Sequence, residues 1–170
     1  DSRIGAKYLK GGLGYGGPCF TRDNEAVLCL AHRLGVSFPL AIATDQANRE
    51  IAGYVAQVVA SKVPIGARVG ILGLSYKPNT PVIEESQGVL IAKILLERGF
   101  EVVAYDPVAI EAARKVFGKS IEYAVSAQTC ILEADAVLIT TPWDEFKRLE
   151  YSGLNGSGDP IVIDCWGMLD

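Results

Sequence analysis

A cysteine and an aspartate lie one helical turn apart where a glycine-rich stretch ends. Cys19 follows the glycines and Asp23 comes four residues later; the glycines are Gly11, Gly12, Gly14, Gly16 and Gly17. Residues i and i+4 of a helix share a face. A thiol at a helix N-terminus has a lowered pKa, because backbone N–H groups and the helix dipole stabilise the thiolate. The spacing therefore indicates a nucleophile at Cys19 and a carboxylate at Asp23 that orients or deprotonates a water.

Both residues also have a structural interpretation, which the spacing leaves open. Most cysteines are small buried residues, and Cys19 would then be one of them. Thr21 or Asp23 would cap the helix that follows. The glycines would form a flexible loop, or would let the backbone approach a ligand closely. Gly12–Gly17 matches G-x-G-x-x-G, but no buried strand precedes it, so it is not a dinucleotide fingerprint.

Charge and composition limit the classes of partner. Arg3, Lys7, Lys10 and Arg22 make the glycine-rich end locally positive, which suits an anionic ligand. The whole chain of 170 residues has a net charge of −4 and a pI near 5.1. Nucleic-acid and anionic-membrane partners are therefore disfavoured. No apolar run approaches the roughly 18 residues that span a bilayer.

The other cysteines and the histidine do not predict a metal site. Cys29 and Cys130 lie in apolar helical contexts and are predicted to be core residues, and Cys165 ends a predicted strand. No C-x-x-C pair is present, and His32 is the single histidine, so we expect no zinc. Reduced thiols indicate a cytoplasmic protein.

Two helices are predicted in the first part of the chain. One runs over about 21–34 and ends at Gly35, and a longer one runs over 39–63 between Pro39 and Pro64. Apolar residues recur at helical spacing along the longer helix. Because the short helix cannot cover it on all sides, we expect a homodimer through residues 39–63.

The pattern changes after Pro64. Buried strands are predicted over 68–74, 101–105, 136–140 and 161–164, with a shorter one over 121–123. Helices are predicted between them, over 86–98, 108–117, 127–133 and 143–149. Alternating strands and helices predict an α/β fold with a doubly wound, mostly parallel sheet.

Two polar residues follow the first two predicted strands. Ligands of open parallel sheets bind beyond the carboxyl ends of the strands. Lys77 is therefore placed to bind a phosphate, or else is a solvated loop lysine. Asp106 is placed to hold a ribose hydroxyl, or else caps the helix that follows.

Two ordered motifs resemble one enzyme family. Residues 14–23, Gly-Tyr-Gly-Gly-Pro-Cys-Phe-Thr-Arg-Asp, with Arg3-Ile4-Gly5 before them, resemble the active-site segment of UDP-glucose/GDP-mannose dehydrogenases. Residues 73–80, Gly-Leu-Ser-Tyr-Lys-Pro-Asn-Thr, with Glu85-Ser86, resemble the opening of that family's C-terminal domain. The resemblance covers essentially the whole chain.

The resemblance implies two domains. Residues 1–64 would be a central helical and dimerisation segment that carries the active-site loop. Residues 65–170 would be a Rossmann-like domain that binds a nucleotide sugar. The family's N-terminal NAD-binding domain would lie outside this chain, which begins at Asp1 and has Met168 as its single methionine. We therefore expect a piece of a longer protein that does not turn over alone.

The resemblance also implies an activity and a role for each site residue. The family oxidises the C6 alcohol of a nucleotide sugar to a carboxylate with two NAD+, usually to supply polysaccharide precursors. Cys19 would be the nucleophile and Asp23 would position water. The substrate loop would consist of Lys10, Gly11, Gly12, Leu13, Gly14, Tyr15 and Gly16. Lys77 would also contact the substrate, and Arg3 would contact the substrate of a partner subunit across the dimer. The residues on the nicotinamide side would be Cys19, Phe20, Thr21 and Arg22.

Two departures from the family pattern leave an alternative open. Glu84 stands near the position of an arginine expected to help hold NAD, and Pro81-Val82 replaces Asp-Asp. Trp166 replaces an expected substrate arginine. A homologue that binds nucleotide sugars or dimerises without chemistry is therefore the competing hypothesis. UDP-glucose is the favoured substrate, with GDP-mannose and UDP-N-acetylmannosamine as alternatives. An independent dinucleotide-binding module is disfavoured, because residues 73–77 lack the glycine spacing.

Overall fold

Two helices precede the sheet in the computed structural model, which describes Gly5, residues 11–152 and residues 160–169. They are α1 (Phe20–Arg33) and α2 (Pro39–Ala60). After α1, the N–H of Gly35 donates to the His32 carbonyl and Gly35 has φ 66°, a conformation that glycine adopts without strain. Helix α2 starts at the predicted proline and ends three residues before the predicted end.

The sheet has five parallel strands in the order β3-β2-β1-β4-β5. The strands are β1 (Arg68–Leu72), β2 (Glu101–Tyr105), β3 (Glu122–Tyr123), β4 (Ala136–Ile139) and β5 (Ile161–Asp164). The crossover helices are α3 (Gln87–Glu97), α4 (Ile110–Phe117) and α5 (Ala127–Leu132). The predicted α/β class with a parallel, Rossmann-like sheet is confirmed. The predicted helix over 143–149 is instead a short 3-10 helix, Asp144–Arg148.

Two apolar cores cover the two faces of the sheet. Val69 and Ile71 of β1 face a core that contains residues of α2 and α3, whereas Leu72 faces a core with Phe146 and residues of α5. Alternate strand residues point to opposite faces, so both faces of β1 are covered and its residues after Arg68 are buried and without polar side chains. Leu13, in the glycine-rich stretch six residues before the predicted nucleophile, belongs to the first core.

Helices α1 and α2 leave a large apolar surface uncovered in the described part of the chain. The exposed apolar side chains there are Phe20, Leu30, Leu34, Leu40, Ile42 and Tyr54. Cys29 is also exposed, so its predicted place in the core is wrong. Its neighbours in sequence are apolar, but the helix face that carries them is not packed. Cys130 is buried as predicted.

Two further features are absent from the described residues. No described helix combines the length and apolarity that crossing a bilayer requires. The same residues form no cluster of three or more potential metal-binding side chains from His, Cys, Asp and Glu.

Asp106 joins the end of β2 to the loop after β1 and to the start of α4. One carboxylate oxygen accepts hydrogen bonds from the Leu74 and Ser75 N–H groups and the Ser75 hydroxyl, at 2.8–2.9 Å. The other accepts from Val108 and Ala109 N–H at 2.9 and 2.8 Å. Asp106 is buried, and both its oxygens are occupied by protein donors. Asp106 is thus not a free ribose acceptor, and it binds the turn before α4, although the N-cap residue of that helix is Ala109, with no side-chain cap.

Replacing Asp106 by alanine should strongly destabilise the chain. The change leaves buried backbone donors without an acceptor, so we expect the free energy of unfolding to fall by about 3 kcal/mol or more. Asp144→Ala is the control, because Asp144 is exposed and only pairs with Lys147; its unfolding free energy should hardly change. Urea denaturation of both variants measures the difference, and equal midpoints would contradict the assignment.

Candidate functional site

The glycine-rich loop, residues 11–17, is pressed against other parts of the protein. A Cβ at Gly14 would lie 2.5 Å from the Asn48 Oδ1 atom, and one at Gly17 would lie 2.6 Å from the Tyr76 ring. A Cβ at Gly16 would collide with the Glu85 carbonyl. These contacts differ from both sequence-based interpretations. A side chain at Gly12, Gly14, Gly16 or Gly17 would collide with the chain's own groups, whereas a Cβ at Gly11 would meet nothing within 4 Å.

Hydrogen bonds hold the same loop at two residues. The Tyr15 N–H donates to Asn48 Oδ1 at 2.8 Å, and Asn48 Nδ2 donates to the Tyr15 carbonyl at 3.0 Å. Gln87 Nε2 also donates to that carbonyl at 3.3 Å. The Gly17 N–H donates to the Glu84 carbonyl at 2.8 Å. The loop is therefore bound to α2 and to the segment that leads into α3.

Cys19 is the N-cap residue of α1, and its side chain is exposed. No side chain caps this helix, so the predicted cap at Thr21 or Asp23 is wrong. Thr21 is instead buried, and its hydroxyl has no partner among the described residues. The first N–H groups of α1 therefore lie beside an accessible thiol without a competing side-chain acceptor.

Asp23 lies one turn into α1, where its N–H donates to the Cys19 carbonyl at 2.8 Å. Its carboxylate pairs with the Arg22 guanidinium at 3.1 Å, and both side chains are exposed. The hydrogen bond to Asp23 is the main cause of a raised Arg22 pKa, and the charges of Asp23, Cys19 and Glu84 act in the same direction. Arg22 thus adds positive charge close to the thiol.

A cavity of about 370 Å³ lies beside Asp23; its other lining residues are Tyr15, Phe20, Asn24, Val27 and Thr44. The Tyr15 and Phe20 rings meet edge to face with their centroids 6.1 Å apart. The Tyr15 hydroxyl is buried without a partner among the described residues. Burial, followed by the charge of Asp45, raises the Tyr15 pKa. The start of α1 therefore has a concave surface with an apolar ring, a phenol and a carboxylate.

The loop is flanked by Lys77, a predicted substrate residue, and by Trp166, which departs from the family pattern. Lys77 is exposed, with Nζ 5.3 Å from the centroid of the Tyr76 ring that covers Gly17. Trp166 packs on Gly12 at the other end of the loop, and its indole N–H donates to the Thr140 carbonyl at 3.0 Å. A cavity of about 440 Å³ beside Trp166 is lined also by Gly11, Pro142, Lys147, Gly167 and Met168. Two predicted substrate residues, Arg3 and Lys10, lie outside the described residues.

The four cysteines fall into two classes. Burial raises the pKa of the Cys130 and Cys165 thiols to about 12, so both are protonated at neutral pH. Cys19 and Cys29 are exposed. They lie at the start and in the third turn of the same helix, so Cys29 is a matched comparison for Cys19.

Asn48 and Gln87 contact the loop but were not identified from the sequence. A signal for Asn48 was present, because it lies on the α2 face that also carries the buried residues Ala41, Ala52 and Val55. A polar residue in a buried stripe needs a hydrogen-bond partner. No comparable signal marks Gln87, which is the first residue of α3 and is buried.

Known proteins are similar to most of this chain. The UDP binding domain of the UDP-glucose/GDP-mannose dehydrogenase family matches residues 70–170, and the family's central domain matches residues 1–50. A UDP-glucose 6-dehydrogenase of Haloferax volcanii is 39% identical over 165 residues, which are 96% of this chain and 38% of the relative.

Solved structures are similar over nearly the whole chain. A UDP-glucose dehydrogenase from Pyrobaculum islandicum has a TM-score of 0.90 and 36% identity. The match covers 99% of this chain and 38% of the solved chain. A GDP-mannose dehydrogenase from Pseudomonas aeruginosa has a TM-score of 0.84, and the match covers 99% of this chain and 40% of the solved chain. Because the two sequences are only 22% identical, this match shows the fold alone.

The chain thus spans about two fifths of the length of the proteins that it matches. Its second half matches the UDP binding domain and its first half carries the motif of the central domain. On these matches the chain belongs to the UDP-glucose/GDP-mannose dehydrogenase family.

Proposed function

We propose that this chain is the central and C-terminal part of an NAD-dependent UDP-glucose 6-dehydrogenase, which oxidises the sugar C6 alcohol to a carboxylate. The observation that carries the proposal is the exposed thiol of Cys19 at the uncapped start of α1, one turn from Asp23. A protein that only binds nucleotide sugars needs neither group. The chain alone is expected to be inactive, because it spans only part of its relatives.

Cys19 supplies the nucleophile. Its thiolate adds to the C6 aldehyde, forming a carbon–sulfur bond, and the former carbonyl oxygen takes a proton, which gives a thiohemiacetal. Loss of a hydride and the hydroxyl proton converts this adduct to a thioester on the same sulfur. The Cys19 sulfur is thus the nucleophile in the addition and the leaving group when the thioester is cleaved.

Asp23 acts in the hydrolysis. Its carboxylate accepts a proton from a water that attacks the thioester carbonyl, and the carbon–sulfur bond then breaks to release the carboxylate and the Cys19 thiolate. The ion pair with Arg22 fixes the carboxylate near the start of α1. Because both side chains are exposed, Asp23 remains accessible to water.

The described residues fit one side of a nicotinamide site. Phe20 and Arg22 are exposed beside Cys19, and they offer a ring surface and a cation, respectively. Thr21 is buried and would support this segment from below. When bound, NAD+ accepts the hydride in each of the two oxidations. Asp106 in the sheet domain is fully engaged by protein N–H and hydroxyl groups, so that strand end does not provide the ribose carboxylate of a second dinucleotide site.

The nucleotide sugar would lie between the loop and the sheet domain. Loop residues 10–16 would contact the sugar and Lys77 the diphosphate, with Arg3 reaching the substrate of a partner subunit. Relatives above 30% identity include a UDP-glucose 6-dehydrogenase and a UDP-glucose dehydrogenase. Their names favour UDP-glucose over GDP-mannose and UDP-N-acetylmannosamine.

The lapsed homologue remains the second candidate, because Glu84 and Trp166 replace expected arginines. In the structure both take part in seating the loop: the Glu84 carbonyl binds the Gly17 N–H, and the Trp166 ring packs on Gly12. Their positions are therefore compatible with an intact Cys19 site.

We also propose a homodimer through residues 39–63. Leu40 and Tyr54 of α2 are 75% and 67% exposed, and their separation is close to four helical turns, so they lie near one side of the helix. Large exposed apolar surfaces mark interaction sites. A second copy of this helix offers the matching apolar surface.

The proposed role of Cys19 as the nucleophile predicts that the two exposed thiols, Cys19 and Cys29, are alkylated at different rates. At pH 7.5, Cys19 should react with iodoacetamide about ten times faster than Cys29, because only Cys19 lies at a helix N-terminus. Mass spectrometry of quenched samples gives both rates from one reaction. A Cys29→Ser variant checks the assignment of the fast site. Equal rates would favour the lapsed homologue.

Substrate class is measured by calorimetric titration with UDP-glucose, UDP-N-acetylmannosamine and GDP-mannose. We expect binding of UDP-glucose, weakened about tenfold by Lys77→Met through loss of a charge-assisted contact to the diphosphate. Lys119→Met, another exposed lysine of the sheet domain, should bind as the unchanged chain does. Preferential binding of GDP-mannose would overturn the assignment to UDP-glucose.

The dimer is tested by sedimentation velocity at about 50 μM. Leu40→Glu places a charge in the proposed interface and should shift the chain from dimer to monomer. Val125→Glu changes an equally exposed apolar residue of the sheet domain and should leave the dimer intact. A monomeric unchanged chain, or a dimer that survives Leu40→Glu, would count against this interface.

A further inference from the structure

Two side-chain amides from different helices meet at the backbone N–H and carbonyl of one loop residue, Tyr15. Asn48 of α2 bonds both the N–H and the carbonyl of Tyr15, at 2.8 and 3.0 Å. Gln87 of α3 donates to the Tyr15 carbonyl at 3.3 Å and to Asn48 Oδ1 at 3.4 Å. The three groups form a closed network, in which the Tyr15 peptide is paired as it would be with a neighbouring strand.

This network is partly buried and sterically tight. Gln87 is 5% exposed, and Asn48 and Tyr15 are partly buried. A Cβ at Gly14 would lie 2.5 Å from Asn48 Oδ1 and 2.8 Å from Gln87 Nε2. The amides therefore lie directly against the loop backbone. Their hydrogen bonds are partly shielded from water, and loss of the amide donor at the buried Gln87 would weaken the hold on the loop.

The network lies only four residues before Cys19. Between them, the Gly17 N–H is bound to the Glu84 carbonyl, and Pro18 restricts its own φ. The chain from Tyr15 to the start of α1 is thus held at two points by residues outside the loop. A shift of the Tyr15 peptide would move the first turn of α1, which carries the thiol.

We propose that Asn48 and Gln87 are positioning residues for Cys19. They hold the loop between α2 and α3, and so set the thiol at a fixed place relative to the domain that matches UDP binding. This inference rests on the proposed function of Cys19 for its purpose in catalysis. The hydrogen-bond network itself does not depend on that function.

The two amides contribute different groups. Asn48 uses both its oxygen and its nitrogen on Tyr15. Gln87 uses its nitrogen, whereas its Oε1 is buried without a partner among the described residues. Gln87→Met therefore removes the donor at nearly constant shape. Asn48→Asp keeps an acceptor for the Tyr15 N–H, but when ionised it cannot donate to the Tyr15 carbonyl.

The test compares Asn48→Asp and Gln87→Met with Gln46→Met, a control on α2 whose amide is exposed and bonds only Glu50 at 2.9 Å. Dithiodipyridine, which reacts with thiols in mild acid, labels Cys19 and Cys29 in the same sample. At pH 7.5 the Cys19-to-Cys29 rate ratio should fall about fivefold in both test variants and stay unchanged in the control. Protonation of the new carboxyl in the Asn48→Asp variant restores a donor. The ratio of that variant should therefore recover as the pH is lowered through the titration of this carboxyl, whereas that of Gln87→Met should not.

Hydrogen exchange of the segment 13–20 is the second readout, and it needs no chemistry at Cys19. Both test variants should exchange at least fivefold faster there than Gln46→Met. Lower melting temperatures with unchanged exchange and an unchanged rate ratio would overturn the positioning role. A ratio near one in the unchanged chain would instead overturn the proposed nucleophile, while exchange still decides whether the amides hold the loop.

Discussion

Close backbone contact between the glycine-rich loop and the rest of the chain is the constraint on which this site depends. The loop meets α2 through Asn48, the approach to α3 through Glu85, and the segment after β5 through Trp166. Side chains at Gly12, Gly14 or Gly16 would separate these parts. The glycines thus serve assembly of the site, and the exposed thiol at the start of α1 follows from how the loop is seated.

The fold was largely predictable because each of its signals is local. Strands covered on both faces carry continuous apolar runs, so 69–72, 102–104 and 136–139 stand out against amphipathic helices. Pro39 and Gly35 mark helix ends by their own backbone preferences. The segment at 143–149 was mistaken for an α-helix because five residues of 3-10 helix carry no distinguishing periodicity.

The site was predictable only where residue type carries the chemistry. Cys19 and Asp23 could be selected from their spacing, and the structure brings them together at the start of α1. The groups that hold the loop could not, because Tyr15 meets Gln87 across 72 positions of sequence. For Cys29 the prediction from sequence is wrong. Its apolar neighbours predict burial, but the side chain is exposed, because burial of a helix face depends on what packs against it.

The contact between Trp166 and Gly12 has a consequence for how such a site changes over evolutionary time. The indole ring occupies the space that any side chain at position 12 would need, and its N–H is fixed to the end of β4 by Thr140. A larger residue at position 12 becomes tolerable only after position 166 has become smaller. The two positions, 154 residues apart by their numbers, are therefore expected to vary as a pair, with the order of substitution set by sterics.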